Sequence, residues 1–320
     1  MLLEPVSADR IDDLVQLWNE EWGSSFPMRE ALMIQNVLGD PNLLEEGTRV
    51  AIDEDSNRVI GLVVSKQWRE KKDGLDFGTE SGWIHSLLVS GSFRRQGLGN
   101  RLLELAEDAL LNNGVRQVHL GNDFHRRMFP GVPETNPETM LWLERRGYVR
   151  QAEVMDLYRD DEKAEPEPLP EGNGVTFRLA EESDAGELNA FLTRCFPGRW
   201  SYQTLHYWEL GGTGREFVIA EREGVMIGFC RINDSHSPLL AQNIYWSPLF
   251  EDELGGIGPL GIDERYRGHG YGLAIVQAGI HFLHARGIRK TVIDTTAYED
   301  FYGKLGYRPW KRYVRYQKLL

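Results

Sequence analysis

At 320 residues with 41% hydrophobic positions, the chain is long enough for two domains, each with its own core. A net charge of −13 argues against general affinity for nucleic acid or an anionic membrane; it suits a cationic amine partner, or serves solubility alone. The two cysteines, Cys195 and Cys230, offer no disulfide framework, and no leader pattern, transmembrane-length apolar run or His/Cys group with metal-ligand spacing is seen, so the expectation is a cytoplasmic, metal-free protein.

In chain order, residues 2–6 read as a strand. Ser7 then caps a helix carrying Ile11, Leu14, Val15 and Trp18. A second helix is expected over 28–38, and strands over 49–52 and 59–64 across the turn 53–57. The apolar run 83–89 is a strand. It leads into Arg94-Arg95-Gln96-Gly97-Leu98-Gly99, which opens a helix with Leu102, Leu103, Leu105, Ala106, Ala109 and Leu110. Asn113-Gly114 stops that helix before a strand over 115–120. The long connection 121–136 is either a wall of an acceptor site or a surface excursion. A short helix over 137–146 and a closing strand over 153–158 complete the first half.

Residues 160–174 hold acids, then Pro166, Pro168 and Pro170, then Gly172 and Gly174, and read as an exposed linker. The order then repeats: strand 175–179, helices 184–195 and 201–210, strands 217–220 and 226–232, and an apolar run 257–262. The loop Arg267-Gly268-His269-Gly270-Tyr271-Gly272 precedes a helix ending near Gly287. A strand over 291–294, a short helix over 298–305 and a strand over 313–318 follow. The predicted domains are therefore 1–159 and 175–320, each an α/β layered unit.

The two loops share the pattern Arg-x-x-Gly-x-Gly between a strand and a helix. A helix start leaves N–H groups unpaired and carries partial positive charge, and glycines let an anion approach them. That points to capture of a phosphate or pyrophosphate. The P-loop Gly-Lys-Ser/Thr and the dinucleotide fingerprint Gly-x-Gly-x-x-Gly are both absent.

With these loops the chain resembles the GNAT N-acetyltransferase superfamily, as two tandem domains. The resemblance implies a mixed central sheet in each, splayed where acetyl-CoA inserts between two strands. It also implies that Arg94, Arg95, Gln96, Gly97, Leu98 and Gly99, and Arg267, Gly268, His269, Gly270, Tyr271 and Gly272, hold the pyrophosphate of coenzyme A. Backbone N–H groups at Leu87, Leu88 and Val89, and at Leu260, Gly261 and Ile262, would polarise the thioester carbonyl. Asn136 stands where the family often has an asparagine on the cofactor, and Thr295 takes that place in the second half.

The family's short helix often reads Tyr-x-x-x-Gly-Phe/Tyr, with its tyrosine protonating the coenzyme A sulfur. Tyr302-Gly303-Lys304-Leu305-Gly306-Tyr307 matches, whereas Leu143 occupies that place before Gly147. The expectation is a catalytic C-terminal half with Tyr302 as proton donor and a supporting N-terminal half. Two working halves is the alternative. No acid lies among Pro259, Leu260 and Gly261; Glu251, Asp252, Glu253, Asp294 and His85 read more readily as structural groups than as the base. The expected activity is direct acetyl transfer from acetyl-CoA to the primary amine of a small molecule. Amino sugars, aminoglycosides and the pseudodisaccharide acceptor of tandem mycothiol synthases are candidates. A non-catalytic acyl-CoA-binding protein and a peptide N-acetyltransferase are the other readings.

Overall fold

The computed structural model describes residues 1–72, 74–172 and 174–320; Asn173, within the expected linker, lies outside the described residues. In chain order the elements are β1 (Leu2–Pro5), α1 (Ile11–Trp22), α2 (Glu30–Met33), β2 (Arg49–Asp53), β3 (Arg58–Gln67), β4 (Ser81–Val89), α3 (Leu98–Asn112), β5 (Gln117–Leu120), β6 (Val132–Pro133), α4 (Pro137–Arg145) and β7 (Val149–Asp160). There follow β8 (Val175–Leu179), α5 (Ala185–Cys195), α6 (Arg199–Glu209), β9 (Phe217–Arg222), β10 (Val225–Asn233), β11 (Leu254–Ile262), α7 (Tyr271–Ala285), β12 (Lys290–Thr296), α8 (Glu299–Gly303) and β13 (Arg308–Leu319). The helix expected over 28–38 is split, α2 giving way to a π-helical turn at Ile34–Leu38.

The chain forms two compact units: residues 1–154 with 312–320, and residues 155–311. In the first, β1, β2, β3 and β4 pair antiparallel in turn, β4 pairs parallel with β5, and the end of β13 closes the sheet antiparallel to β5, Tyr316 opposite Leu120. In the second, β8, β9, β10 and β11 pair antiparallel, β11 pairs parallel with β12, and the end of β7 closes the sheet antiparallel to β12, Leu157 opposite Ile293. The linear partition 1–159 and 175–320 thus differs from these units at both closing strands. Residues 155–160 complete the second unit's sheet and residues 312–320 the first's. Strand alternation fixes which face is buried but not which ladder a strand joins.

Helices shape the cores. Leu102, Leu103, Ala106, Ala109 and Leu110 of α3 are buried against Ile60, Ile84 and Val118. In the second unit Ile275, Val276, Ala278, Ile280 and Leu283 of α7 pack with Ile232, Ile257 and Ile293. β10 is buried from Met226 to Asn233, as expected of a strand covered on both faces.

The expected exposed linker is instead tied to α7. The Glu167 N–H donates to His284 Nδ1 at 2.9 Å, its carbonyl lies 2.7 Å from His281 Nδ1, and its carboxylate accepts from Gln277 and from Arg159, both at 2.8 Å. Asp161 is buried beside Arg159 and His284, and Leu169 packs on the core. Two acids of the stretch, Asp161 and Glu167, thus have buried or half-buried partners brought in from α7 and β7, whereas Glu162, Glu165 and Glu171 are exposed. Glu167→Ala should lower stability by about 1–2 kcal/mol in denaturant unfolding, because it removes two charge-assisted hydrogen bonds.

Candidate functional site

Each unit carries the same splay. In the first, β4 and β5 pair from Ser81–Gln117 to Ile84–Leu120; beyond that, among the described residues, β4 is paired only on its β3 side, Ser86 to Val89 opposite Val64 to Gly61. The Ser90 N–H donates to Ile60 on β3. By alternation, the N–H groups of Leu87 and Val89 face the open edge. In the second unit, β11 and β12 part after Ile257–Ile293, and the Asp263 N–H donates to Ile227 on β10. Leu260 and Ile262 therefore face the open edge there.

The loops at the splays have one backbone form. Gly97 (φ 88°) and Gly270 (φ 82°) cap α3 and α7 in the left-handed region, two residues after Arg95 (φ 62°) and Gly268 (φ 83°), which share that conformation. An L side chain at the capping positions is strained, which accounts for the glycine. Leu98 and Tyr271 begin the helices with buried side chains, so they offer only backbone N–H to a ligand. Arg94 Nε donates to the Val89 carbonyl and Arg267 Nε to the Ile262 carbonyl, both at 3.0 Å, so each arginine braces loop to strand. Arg94 also pairs with Glu21. Arg95 is exposed and paired with Glu138, and Gln96 donates to the Ser92 carbonyl. His269 lies against the Tyr271 ring, and Gly99 and Gly272 sit in the first helical turns beside Trp142 and Phe301.

In the first unit these parts line a cavity of about 730 Å³. Its walls are the open edge His85–Val89, the loop at Gly97 and Gly99, and α4 with Asn136 and Leu143. Asn136 also caps α4, its Oδ1 accepting from the Thr139 N–H at 3.3 Å. The 121–136 connection contributes Phe129, Gly131 and Pro133, so it is a wall of its own unit's cavity. It is fastened from behind: Lys66 Nζ lies 2.7 Å from Asp40 and 3.0 Å from Asp123, all buried, and donates to the Arg126 carbonyl at 3.1 Å. Burial raises the Asp123 pKa despite that lysine.

Sequence patterns did not single out Trp18, Trp22 or Ser86 as lining residues. Trp18 stacks on Phe129 at 5.7 Å and 14°, and Trp22 lies 5.6 Å from the same ring. In the sequence Trp18 is only an apolar position of α1, and no local spacing joins α1 to a loop more than a hundred residues later.

In the second unit Tyr302 is 8% exposed, edge-on to Phe301 and Tyr307, and its hydroxyl makes no hydrogen bond among the described residues. Burial first, then Cys230, Asp294 and Tyr298, push its pKa well above the usual phenol value, so it stays protonated. Its counterpart Leu143 is buried in the first unit's core. Thr295 (φ 52°) donates its N–H to Asp156 Oδ1 at 3.0 Å and its hydroxyl to Asp294 at 3.2 Å. Lys311 is pushed down to about 8 by burial, with Asp156 acting in the opposite direction. Gly261 backs onto Phe196, where a Cβ would lie 2.3 Å from the ring; Leu88 holds the matching place in the first unit. Asp252 is paired with Lys290, and Glu253 accepts from Ser235, so both have structural partners. Asp234, His236 and Glu253 come within 4.8 Å of one another, but Asp234 already holds Arg215 and Arg286. No helix of the described residues is long and apolar enough to cross a membrane.

The sequence profile of the Acetyltransferase (GNAT) family matches residues 11–129 and 186–307. The mycothiol acetyltransferase of Acidothermus cellulolyticus is 25% identical over 72% of this chain and 70% of its own length. That of Corynebacterium efficiens is 26% identical over 90% and 87%. Among solved structures, a GCN5-related glucosamine N-acetyltransferase region of a fungal multi-domain GH3 β-N-acetylglucosaminidase superposes with a TM-score of 0.86 at 24% identity, covering 99% of this chain, which spans 38% of that one. A tandem GNAT protein from the clavulanic acid biosynthesis pathway gives 0.70 at 15% identity, over 99% and 98%. Two profile matches, each over a splayed sheet with its glycine-capped helix, show that the chain belongs to the GNAT acetyltransferase family and carries that fold twice.

Proposed function

We propose that the protein transfers the acetyl group of acetyl-CoA directly to the primary amine of a small polar molecule, and that the second unit does so with Tyr302 as proton donor. The observation that carries this reading is the conjunction, in one unit, of an open strand edge, a glycine-capped helix start and a buried protonated phenol. Bound acetyl-CoA supplies the acyl thioester and a thiolate leaving group. The α7 N-terminus and Gly270 hold its pyrophosphate. The Leu260 and Ile262 N–H groups stabilise the negative charge that develops on the acyl oxygen as the amine nitrogen bonds to the acyl carbon. The C–S bond then breaks, the Tyr302 hydroxyl gives its proton to the sulfur, and the surplus proton of the newly acylated nitrogen leaves to solvent water, from which the Tyr302 phenolate regains its own.

The first unit supports cofactor binding by the same logic: its cavity joins the Leu87 and Val89 N–H groups to the N-terminus of α3, with Asn136 on the far wall. A small-molecule acceptor is favoured by the mycothiol acetyltransferases among the relatives. The test is thiol release from acetyl-CoA by the purified full chain against a library of small amines, with peptide amines as the contrast. Release with peptides alone would change the acceptor class. Saturable acetyl-CoA binding without release by any amine would favour a binding protein.

A further inference from the structure

The first unit lacks the tyrosine, yet a different proton-handling pair faces its cavity. Ser86 Oγ lies 3.0 Å from His85 Nδ1, and His85 Nε2 lies 3.2 Å from the Arg126 carbonyl oxygen. Both residues line the cavity at the point where β4 leaves β5. Neighbours in a regular strand point to opposite faces, so such a pair does not form there. Here the register slips, with Val64 opposite Ser86 and Ser65 opposite Ile84, and the extra residue is His85. The bulge turns the imidazole toward the neighbouring hydroxyl.

The chemistry of the partners fixes the tautomer. A carbonyl oxygen only accepts, so Nε2 carries the hydrogen; Nδ1 then holds the lone pair and Ser86 donates to it. The groups around His85 keep it neutral. Burial acts first and the Lys66 ammonium second; Asp40 and the Arg126 carbonyl act in the opposite direction. In the second unit Gly258 and Pro259 take the matching places, so no such pair exists there.

We propose that the first unit is a second acyl-transfer centre in which Ser86 exchanges protons with the reacting groups and His85, acting through Ser86, stores the proton. This rests on the acetyl-CoA reading above. As the acceptor nitrogen bonds to the acyl carbon, its surplus proton passes to Ser86 Oγ while the Ser86 proton passes to His85 Nδ1. When the C–S bond breaks, the same path runs in reverse and the proton ends on the sulfur. The proton is taken and returned by one pair, so no tyrosine is required at Leu143. A weakly basic imidazole suffices, because an amine nitrogen that has formed its new bond is a strong acid. The resulting imidazolium keeps two acceptors, Ser86 Oγ and the Arg126 carbonyl, and has Asp40 in its surroundings.

The test uses the full chain with Gly270→Asp, which disables the second unit's loop, and in parallel the full chain with Tyr302→Phe, which leaves that loop intact. In either background, adding Ser86→Ala should lower the remaining thiol release roughly 10- to 100-fold, with acetyl-CoA affinity in calorimetry changed less than about twofold. Ser86→Thr, which restores the hydroxyl, should recover most of it. His85→Gln should match Ser86→Ala and remove the imidazole-dependent limb of the pH–rate profile. Independently of activity, ¹⁵N spectra of the protein without ligand should show His85 neutral with hydrogen on Nε2. An Nδ1–H tautomer, or release unchanged by Ser86→Ala, would overturn the proposal, as would no release while the first unit still binds acetyl-CoA. Absence of acetyl-CoA binding in the unsubstituted chain would instead bring down the underlying reading, and the proposal with it.

Discussion

Tyr302→Phe, measured in a full chain whose first unit is disabled by Gly97→Asp, should lower turnover roughly 10- to 1,000-fold while acetyl-CoA affinity changes little. The substitution keeps the ring that packs edge-on against Phe301 and Tyr307, so the core of the second unit is preserved. It removes a hydroxyl that makes no hydrogen bond among the described residues, so no partner is left unsatisfied in the fold. An interaction made only as the thiolate leaves appears in kcat and not in ground-state binding. Burial and the neighbouring Cys230, Asp294 and Tyr298 favour the neutral form, so Tyr302 remains a donor throughout the neutral range. In the chain that carries Tyr302, turnover should therefore show no fall from loss of the phenol proton across the neutral range. Single-turnover thiol release reads this directly, and unchanged release would end the assignment of Tyr302 as the acid.

The parts of the site that were legible in the sequence are those with a local backbone reason. Gly97 and Gly270 sit at left-handed helix caps that side chains strain, so the loops announce themselves in the amino-acid pattern. The expected β8 strand and the α4 and α5 helices match the structure within a residue or so, because turn residues and apolar periods bound them. What could not be read depends on distant partners. β7 and β13 each look like the closing strand of their own half, yet residues 155–160 and 312–320 complete the other half's sheet; the information lies in ladder partners, not in alternation. Glu167 is, in the sequence, one acid of the stretch 160–174 that reads as an exposed linker; its partners Arg159, Gln277 and His281 are set by the fold. His85 beside Ser86 reads as an ordinary strand pair, and only the one-residue bulge brings the two side chains together.

Gly270→Asp should abolish detectable acetyl-CoA binding at the second unit and, with it, the turnover that depends on Tyr302. Two effects act in the same direction. The residue holds φ 82°, where an L side chain costs about 1–2 kcal/mol. Its carboxylate would also stand at a helix N-terminus whose partial positive charge otherwise faces the pyrophosphate. Open space surrounds a Cβ at this position, so the fold of the unit should survive and the loss should fall on the anion. Gly270→Asn separates the two effects, since it keeps the shape and the strain but removes the charge; its binding should lie between that of Gly and Asp. Gly97→Asp makes the same change at the α3 cap, which has φ 88° and the same open surroundings. Calorimetry should then count two bound acetyl-CoA molecules for the unsubstituted chain, one for either single variant and none for the double variant. Gly97→Asp should leave the Tyr302-dependent turnover largely intact, because the two loops belong to different compact units with separate cores. Intact binding at the second unit in Gly270→Asp would mean that the pyrophosphate does not rest on the α7 N-terminus. Equal loss of Tyr302-dependent turnover in both single variants would mean that the units do not transfer independently.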